Sequence, residues 1–249
     1  MGLFGNLFEK KHCSICDGEI GLLGNRKLED GNLCKNCAAK LSPWFSDRRS
    51  STVEEIRQQL EYREANKAKV EAFNATKTIG RNTKVILDED ARKFIVTRSR
   101  NYKNDNPDVL DYADVTGCEI KTDESKSEIY REDKDGKRVS YIPKRYKYEY
   151  EVEMLLHINN PYFTEIKFDL TDSRVELMIP NPKTSPEYRE AVALGEEIKK
   201  ALTEAHQQIR DEIAEASAIK TKVICPVCHA TTIPDANGCC EYCGSAIGG

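Results

Sequence analysis

The sequence predicts an α+β chain of several small domains. A cysteine-rich module stands at each end, and between them lies an antiparallel β sandwich or barrel closed by a long helix. Three observations carry this expectation. Eight of the ten cysteines fall into four C-x-x-C pairs, two pairs near each end of the 249-residue chain. Between about Thr83 and Pro180 the apolar residues switch from helical spacing to alternation, the period of a strand. Beyond Ser185 they return to helical spacing for about 30 residues.

Composition narrows the function classes. Hydrophobic residues make up 39% and charged residues 32% of the chain, too polar a balance for one large core. A net charge of −4 argues against a generic nucleic-acid binder or a polybasic membrane binder. No run approaches the roughly 18 apolar residues that span a bilayer. The opening MGLFGNLFEKKH is too short for the apolar core of a secretion signal and lacks a small-residue cleavage site. A myristoylation signal is not met either, because the position that needs Ser or Thr holds neither. The tip therefore reads as a locally packed terminus, with a lipid-grazing tip as the alternative. Without an export signal, cysteines at C-x-x-C spacing are better read as reduced and metal-bound than as disulfides. That gives a cytoplasmic protein, with a membrane-peripheral position as the variant.

Residues 1–50 form the first module. CSIC and CKNC, separated by the seventeen residues 17–33, fit a four-cysteine zinc pattern, because two residues between thiolates let one tight turn aim both sulfurs at one ion. Asp17-Gly18 supplies the turn after the first pair, and Gly24-Asn25 and Asp30-Gly31 are turn dipeptides of a hairpin. CKNCAAKL reads as a helix with Cys34 and Cys37 in its first turn, where free N–H groups favour thiolate. Knuckle, hairpin and helix make a treble-clef-like module with a structural zinc on Cys13, Cys16, Cys34 and Cys37. In the following SPWFSDRRSS, Trp44 and Phe45 are expected to cap the module's small core, an exposed partner anchor being the alternative for Trp44.

Residues 51–80 read as a connecting helix and linker. Ser51 with Glu54 has capping-box spacing, and Val53, Ile56 and Leu60 give a thin apolar stripe that fades past Tyr62. The rest of this helix is expected to be solvated. Residues 81–205 form the β domain: KVIL and KFIVTR as a hairpin, VTGCEIK with Cys118 as a small buried apolar residue, then YKYEYEVEMLLHI. In the last, Tyr146, Tyr148, Tyr150, Val152, Met154, Leu156 and Ile158 share one face, Lys147, Glu149, Glu151, Glu153 and His157 the other, and Leu155 is the exception. Such alternation means one face on a core and one in water. Asn160-Pro161 breaks the strand, EIKFDL resumes it, and VELMI is the last, for six or seven strands in all. Ser185-Pro186 then starts the helix, with its stripe at Ala191, Gly195, Ile198, Leu202, Ala205, Ile209, Ile213 and Ala216. Its first half is expected to close the β domain, and residues 206–221 to project as a helical extension.

Residues 222–249 read as a compact zinc ribbon. Cys225 and Cys228 make one knuckle, and Cys240 and Cys243 have the same gap and are followed by Gly244, suited to the turn. Cys239 is spare, because adjacent cysteines cannot easily aim both sulfurs at one ion. His229 and His12, each beside a ligand cysteine, should point away. Both sites would be closed all-thiolate cages, whereas catalytic zinc keeps a position open for water. Two structural Zn²⁺ ions would then supply folding energy that segments this short cannot draw from apolar burial.

The run HCSICDGEIGLLGNRKLEDGNLCKNCAAKLSPWFSDRRSSTVEEI resembles the N-terminal zinc module of bacterial proteins catalogued as domain of unknown function family 4428, over roughly the first 75 residues. Several members carry a pleckstrin-homology-like domain next, and the central strands, PYFTEIKFDL and the closing helix look like that fold. The resemblance implies an architecture and a zinc ligand set, and no activity.

The expectation is a non-enzymatic adaptor: a pleckstrin-homology-like domain between two structural zinc modules, binding a protein or an anionic ligand. No glycine-rich phosphate loop, G-x-S-x-G or H-E-x-x-H motif is present. For an anionic lipid, phosphate or acidic peptide, the candidate surface combines Arg92, Lys93, Arg98, Arg100 and Lys103 with Lys137, Arg138, Lys144, Arg145 and Lys147, beside Tyr141 and Tyr146. Two alternatives are a nucleic-acid-associated regulator acting through the ribbon, whose only basic residue is Lys222, and a redox sensor in which Cys239, oxidised beside a zinc thiolate, starts disulfide formation and expels the metal.

Overall fold

A computed structural model describes residues 11–21, 23–217, 222–235 and 238–247. The apolar tip at residues 1–10, and residues 236–237 of the expected ribbon, lie outside the described residues. The chain is mixed α/β and divides into two compact units, Met1–His206 and Gln207–Gly249.

The first unit begins with two small hairpins, β1 (Lys11–His12) with β2 (Glu19–Ile20) and β3 (Arg26–Lys27) with β4 (Asn32–Leu33), followed by the single-turn helix α1 (Lys35–Ala38). Their core is Ile20, Leu28, Leu33, Leu41 and Ile56, with Cys13 and Cys37 buried among them and Ile15, Phe45, Val53 and Leu60 packed on its rim. Gly31 permits this closeness, since a Cβ there would come within 2.6 Å of Ser14 Oγ and of Val53 Cγ2. Phe45 caps the module as expected, but Trp44 is not part of this core; it lines a groove with Arg63, Val96 and Phe168.

Helix α2 (Val53–Ala72) corrects two expectations. Its capping box uses Thr52 and Glu55, one residue beyond the Ser51–Glu54 pair, because the Ser51 hydroxyl is engaged by the Asp47 carbonyl at 2.9 Å. Nor is the helix solvated past Tyr62: Ile56, Gln59, Arg63, Asn66 and Val70 are all buried, at every third or fourth position. The buried stripe was invisible to hydropathy because its middle is polar. Arg63 donates to Asp108 Oδ1 at 2.8 Å, to the Asn106 carbonyl and to the Lys40 carbonyl at 3.3 Å. Asn66 donates to the Pro107 carbonyl at 2.7 Å and accepts from Val109 N at 3.0 Å. Ser42 completes the hub by donating to Asp108 Oδ2 at 2.7 Å. These bonds join the end of the cysteine module, α2 and the loop before the last strand of the first sheet.

That sheet is antiparallel, in the order β5 (Lys77–Ile79), β6 (Lys84–Asp88), β7 (Lys93–Thr97) and β8 (Leu110–Asp111), with the short helix α3 (Tyr102–Asp105) before β8. β5 lies within the stretch assigned to the linker. A second sheet is built on β10 (Arg138–Ile158), which pairs with β9 (Val115–Glu132) along its length and carries β11 (Glu165–Asp169) and β12 (Val175–Leu177) on its other edge. The six or seven strands expected of a sandwich or barrel are eight, in two four-stranded sheets with no hydrogen-bonded closure between them. Alternation holds where a face is covered: Tyr150, Val152, Met154, Leu156 and Ile158 are buried, and Cys118 with them. Leu155, the exception, is buried too, and beside it Glu153 is buried against Lys167 Nζ at 2.6 Å. The far halves of β9 and β10 have largely exposed side chains on both faces, so no sequence period announced them.

Helix α4 (Pro186–Ser217) starts where Ser185-Pro186 predicts, with Ser185 Oγ accepting from Tyr188 N at 3.2 Å. Ala191, Ile198 and Leu202 are buried, and a Cβ on Gly195 would lie 2.8 Å from Ile120 and 2.9 Å from Leu170, so the first half of α4 lies against the second sheet. The side chains of Ala205, Ile209, Ile213 and Ala216 lie outside the described set. The second unit contains the hairpin β13 (Val223–Ile224) with β14 (Thr231–Thr232), and isolated bridges Pro234–Cys240 and Cys239–Ala246. Among the described residues no helix is long and apolar enough to cross a membrane.

Candidate metal centres

The eight C-x-x-C cysteines assemble into two clusters, Cys13, Cys16, Cys34 and Cys37, and Cys225, Cys228, Cys240 and Cys243; within each, all four sulfurs lie within 4.8 Å of one another. None of the ten cysteines is bridged.

Three of the four pairs are built alike. Cys13 N donates to the Gly18 carbonyl at 3.0 Å and Asp17 N donates to the Cys13 carbonyl at 2.8 Å. The same two bonds recur as Cys225 N to Ala230 (2.9 Å) with His229 N to Cys225 (2.9 Å), and as Cys240 N to Ser245 (2.8 Å) with Gly244 N to Cys240 (2.8 Å). The residue after the second cysteine must turn left-handed to close this loop: Asp17 at φ 57°, His229 at φ 58° and Gly244 at φ 73°. His229 is therefore a turn residue rather than a ligand, and His12 is likewise occupied, its Nδ1 lying 3.0 Å from the Asp17 carbonyl oxygen. The fourth pair is helical. Cys34 is the N-cap of α1 and its sulfur accepts from Cys37 N at 3.3 Å.

The sulfur spacing fits an ion. A tetrahedral zinc with Zn–S bonds of about 2.3 Å sets neighbouring sulfurs about 3.8 Å apart. The observed separations are 3.8 Å for Cys16–Cys34 and 3.6 Å for both Cys225–Cys243 and Cys228–Cys240. The electrostatics point the same way. Burial disfavours the Cys13 thiolate, but N–H groups of Cys34, Cys16 and Ile15 outweigh it and bring its pKa down to about 6. Burial, then contact with Cys34, Cys16 and Cys13, pushes the Cys37 thiol upward. In the second cluster the Ser245 hydroxyl and N–H bring Cys243 down to about 6. Cys228 is raised to about 12: the Ala230 N–H favours its thiolate, but burial and the three neighbouring sulfurs prevail. Some sulfurs of each set are ready to ionise and others resist; a dication at the centre removes that conflict. The donor set, four soft thiolates, suits zinc.

The basic residues expected to form one anionic-ligand surface are largely paired. Lys93 pairs with Asp111, Arg98 with Asp169 at 3.3 Å, Lys103 with Glu71 at 3.9 Å, Lys144 with Glu128 at 3.0 Å, and Lys147 with Glu149 and with Glu176 at 3.2 Å. Arg145 stacks on Tyr141 and Arg138 on Tyr130, with centroid distances of 4.5 Å and 4.1 Å. Arg92 lies in the β6–β7 turn at φ 57°, Arg100 is exposed before α3, and Lys137 lies at the β9–β10 turn. Lys93 lies in β7 of the first sheet with Arg98 just beyond it, whereas Arg138, Lys144, Arg145 and Lys147 lie in β10 of the second. A third grouping, the acidic Glu151, Glu153 and Asp169, is matched by Arg174, Lys167 and Arg98 at 3.2, 2.6 and 3.3 Å.

Fold and clusters together define a mixed α/β protein with a closed four-cysteine centre near each end. The profile of the family described as Domain of unknown function (DUF4428) matches residues 11–59, the span that holds the first cluster and the start of α2. No curated protein and no solved structure matches the chain.

Proposed function

We propose that this chain is a zinc-stabilised, non-enzymatic adaptor that presents a pleckstrin-homology-like domain between two structural Zn²⁺ modules to a protein partner in a reducing compartment. The sulfur geometry carries the reading: each cluster offers four thiolates at zinc spacing and leaves a bound ion no position for water or substrate. Cys13, Cys16, Cys34 and Cys37 hold one ion, and Cys225, Cys228, Cys240 and Cys243 the other. The pleckstrin-homology-like assignment is supported by two antiparallel four-stranded sheets followed directly by a helix whose first half is buried on one of them. The hydrogen-bonded hub at Arg63 and Asp108 supports the adaptor reading, because it fixes the first module on the β domain instead of leaving it on a free linker.

Elemental analysis of full-length protein purified without chelator tests the metal assignment. It should give two zinc per chain, falling to one in Cys225→Ser/Cys228→Ser; absence of zinc would overturn the reading. The adaptor role is tested by in-cell cross-linking in the native host, where the intact chain should yield a reproducible protein partner that the ligand variant loses. Turnover of a small molecule by the purified chain would contradict it.

A further inference from the structure

The first module carries a second feature that the metal does not explain. β3 brings Arg26 and Lys27 beside a short 3-10 turn at Arg48–Ser50, and the two segments wall an open cleft of about 870 Å³ lined by Asn25, Arg26, Lys27, Leu28, Glu29, Arg48 and Arg49. Arg26 and Arg48 are half-buried, and Lys27 and Arg49 are exposed. The walls are firmly held. Leu28 is fully buried in the module core, Glu29 N donates to the Ser51 carbonyl at 3.0 Å, and the Ser50 and Ser51 hydroxyls donate to the Asp47 carbonyl at 3.0 and 2.9 Å.

Four cations share this cleft with one carboxylate, Glu29, and among the described residues none of the four lies within ion-pair distance of any acidic group. The contrast is with the β domain, where Lys93, Arg98, Lys144, Lys147, Lys167 and Arg174 each have a carboxylate partner. The cluster is also self-repelling: burial, then the charges of Arg26 and Arg49, make the Arg48 guanidinium easier to deprotonate than usual. Holding like charges together in a rigid wall costs stability unless something anionic offsets it.

The lining also narrows the anion. It contains no aromatic ring on which a base could stack, which disfavours single-stranded nucleic acid. Paired guanidinium forks match phosphate oxygens, and several cations converging in one concavity match several phosphate charges close together rather than a long strand. We propose that the cleft of Arg26, Lys27, Arg48 and Arg49 is a binding site for a compact, multiply charged phosphate group, free or on a lipid headgroup. The site rests on the folded metal module but not on the adaptor role.

The test uses the full zinc-loaded chain. Isothermal titration with inorganic tripolyphosphate should show saturable binding, weakened several-fold by added salt. Arg48→Gln/Arg49→Gln should lose about tenfold or more in affinity, as expected when charge-assisted bonds to phosphate are removed. With no ligand present, the same variant should melt no lower than the parent, because repulsion has been relieved; zinc content, measured in parallel, should stay at that of the parent. Vesicles containing a polyphosphorylated inositol lipid, compared with vesicles carrying only single-phosphate lipids, distinguish the two sources: selective capture identifies a headgroup, and tripolyphosphate binding without capture a free anion. No binding of either probe would overturn the proposal. So would binding unchanged in the variant, or a double-stranded oligonucleotide bound more tightly than tripolyphosphate through the same residues. Loss of binding accompanied by loss of zinc would indict the module's fold, and the proposal would then stand or fall on Lys27→Gln, an exposed position that should weaken tripolyphosphate binding with zinc retained.

Discussion

The two four-cysteine centres use the same knuckle yet sit in different surroundings. The first is embedded: Cys13 and Cys37 share a core with Ile20, Leu28, Leu33, Leu41 and Ile56, and α2 is packed on it. The second has almost no core: in its described residues only Cys225, Cys240 and Thr232 are buried, whereas Ile224, Val227 and Tyr242 are 68%, 63% and 71% exposed. Where apolar side chains are absent, the metal must supply nearly all the folding energy; where they are present, it shares the work. A small module can thus be metal-dependent in degree, and the degree is set by what surrounds the thiolates.

The largest predicted effect tests that difference directly. Structural zinc contributes on the order of 10 kcal/mol to modules of this kind. Chelation should therefore abolish amide-exchange protection throughout 223–247, while Leu28, Leu33 and Ile56 in the first module keep part of theirs. Equal loss in both would break the comparison.

Next in size is the hub that makes the first module a fixed part of its unit. Arg63 and Asp108 are 8% and 0% exposed, and removing one member of a buried pair strands the other, at about 3–5 kcal/mol. Burial already raises the Asp108 pKa against the pull of Arg63 and Ser42, so the pair itself is expensive to keep. Arg63→Met should destabilise the first unit by that amount in denaturant melts, and Arg63→Met/Asp108→Leu should recover much of it. The second module should not respond to either.

A smaller effect belongs to Gly31. A Cβ there meets Ser14 and Val53 at 2.6 Å, so Gly31→Ala should overpack the first module by about 1–3 kcal/mol and leave zinc in the second unchanged. The smallest prediction has the opposite sign. His229 occupies the left-handed knuckle position that Gly244 occupies in the partner knuckle, so His229→Gly should keep both zinc ions and stabilise by up to about 1 kcal/mol. Loss of zinc would make His229 a ligand after all.

Much of this was legible in the sequence, and what was not has physical causes. The clusters could be read because two-residue gaps between thiolates are a metal's own spacing. The strand through Tyr150 and Ile158 could be read because one face is dry. The buried face of helix α2 could not, since Arg63 and Asn66 are polar residues held there by hydrogen bonds to Asp108, the Pro107 carbonyl and Val109 N, and Gln59 is buried on the same stripe. The outer halves of β9 and β10 are wet on both faces and show no period. The cleft of Arg26, Lys27, Arg48 and Arg49 joins two short basic runs that only the backbone brings together. By contrast, basic residues clustered in sequence around β7 and along β10 proved to be ion-paired or stacked on separate sheets.

X-ray absorption at the zinc edge of the full-length protein tests the central claim most directly. The account predicts two zinc per chain, each with four sulfur neighbours at about 2.3 Å and no nitrogen or oxygen in the shell. A shell containing nitrogen or oxygen, or a single zinc per chain, would contradict it.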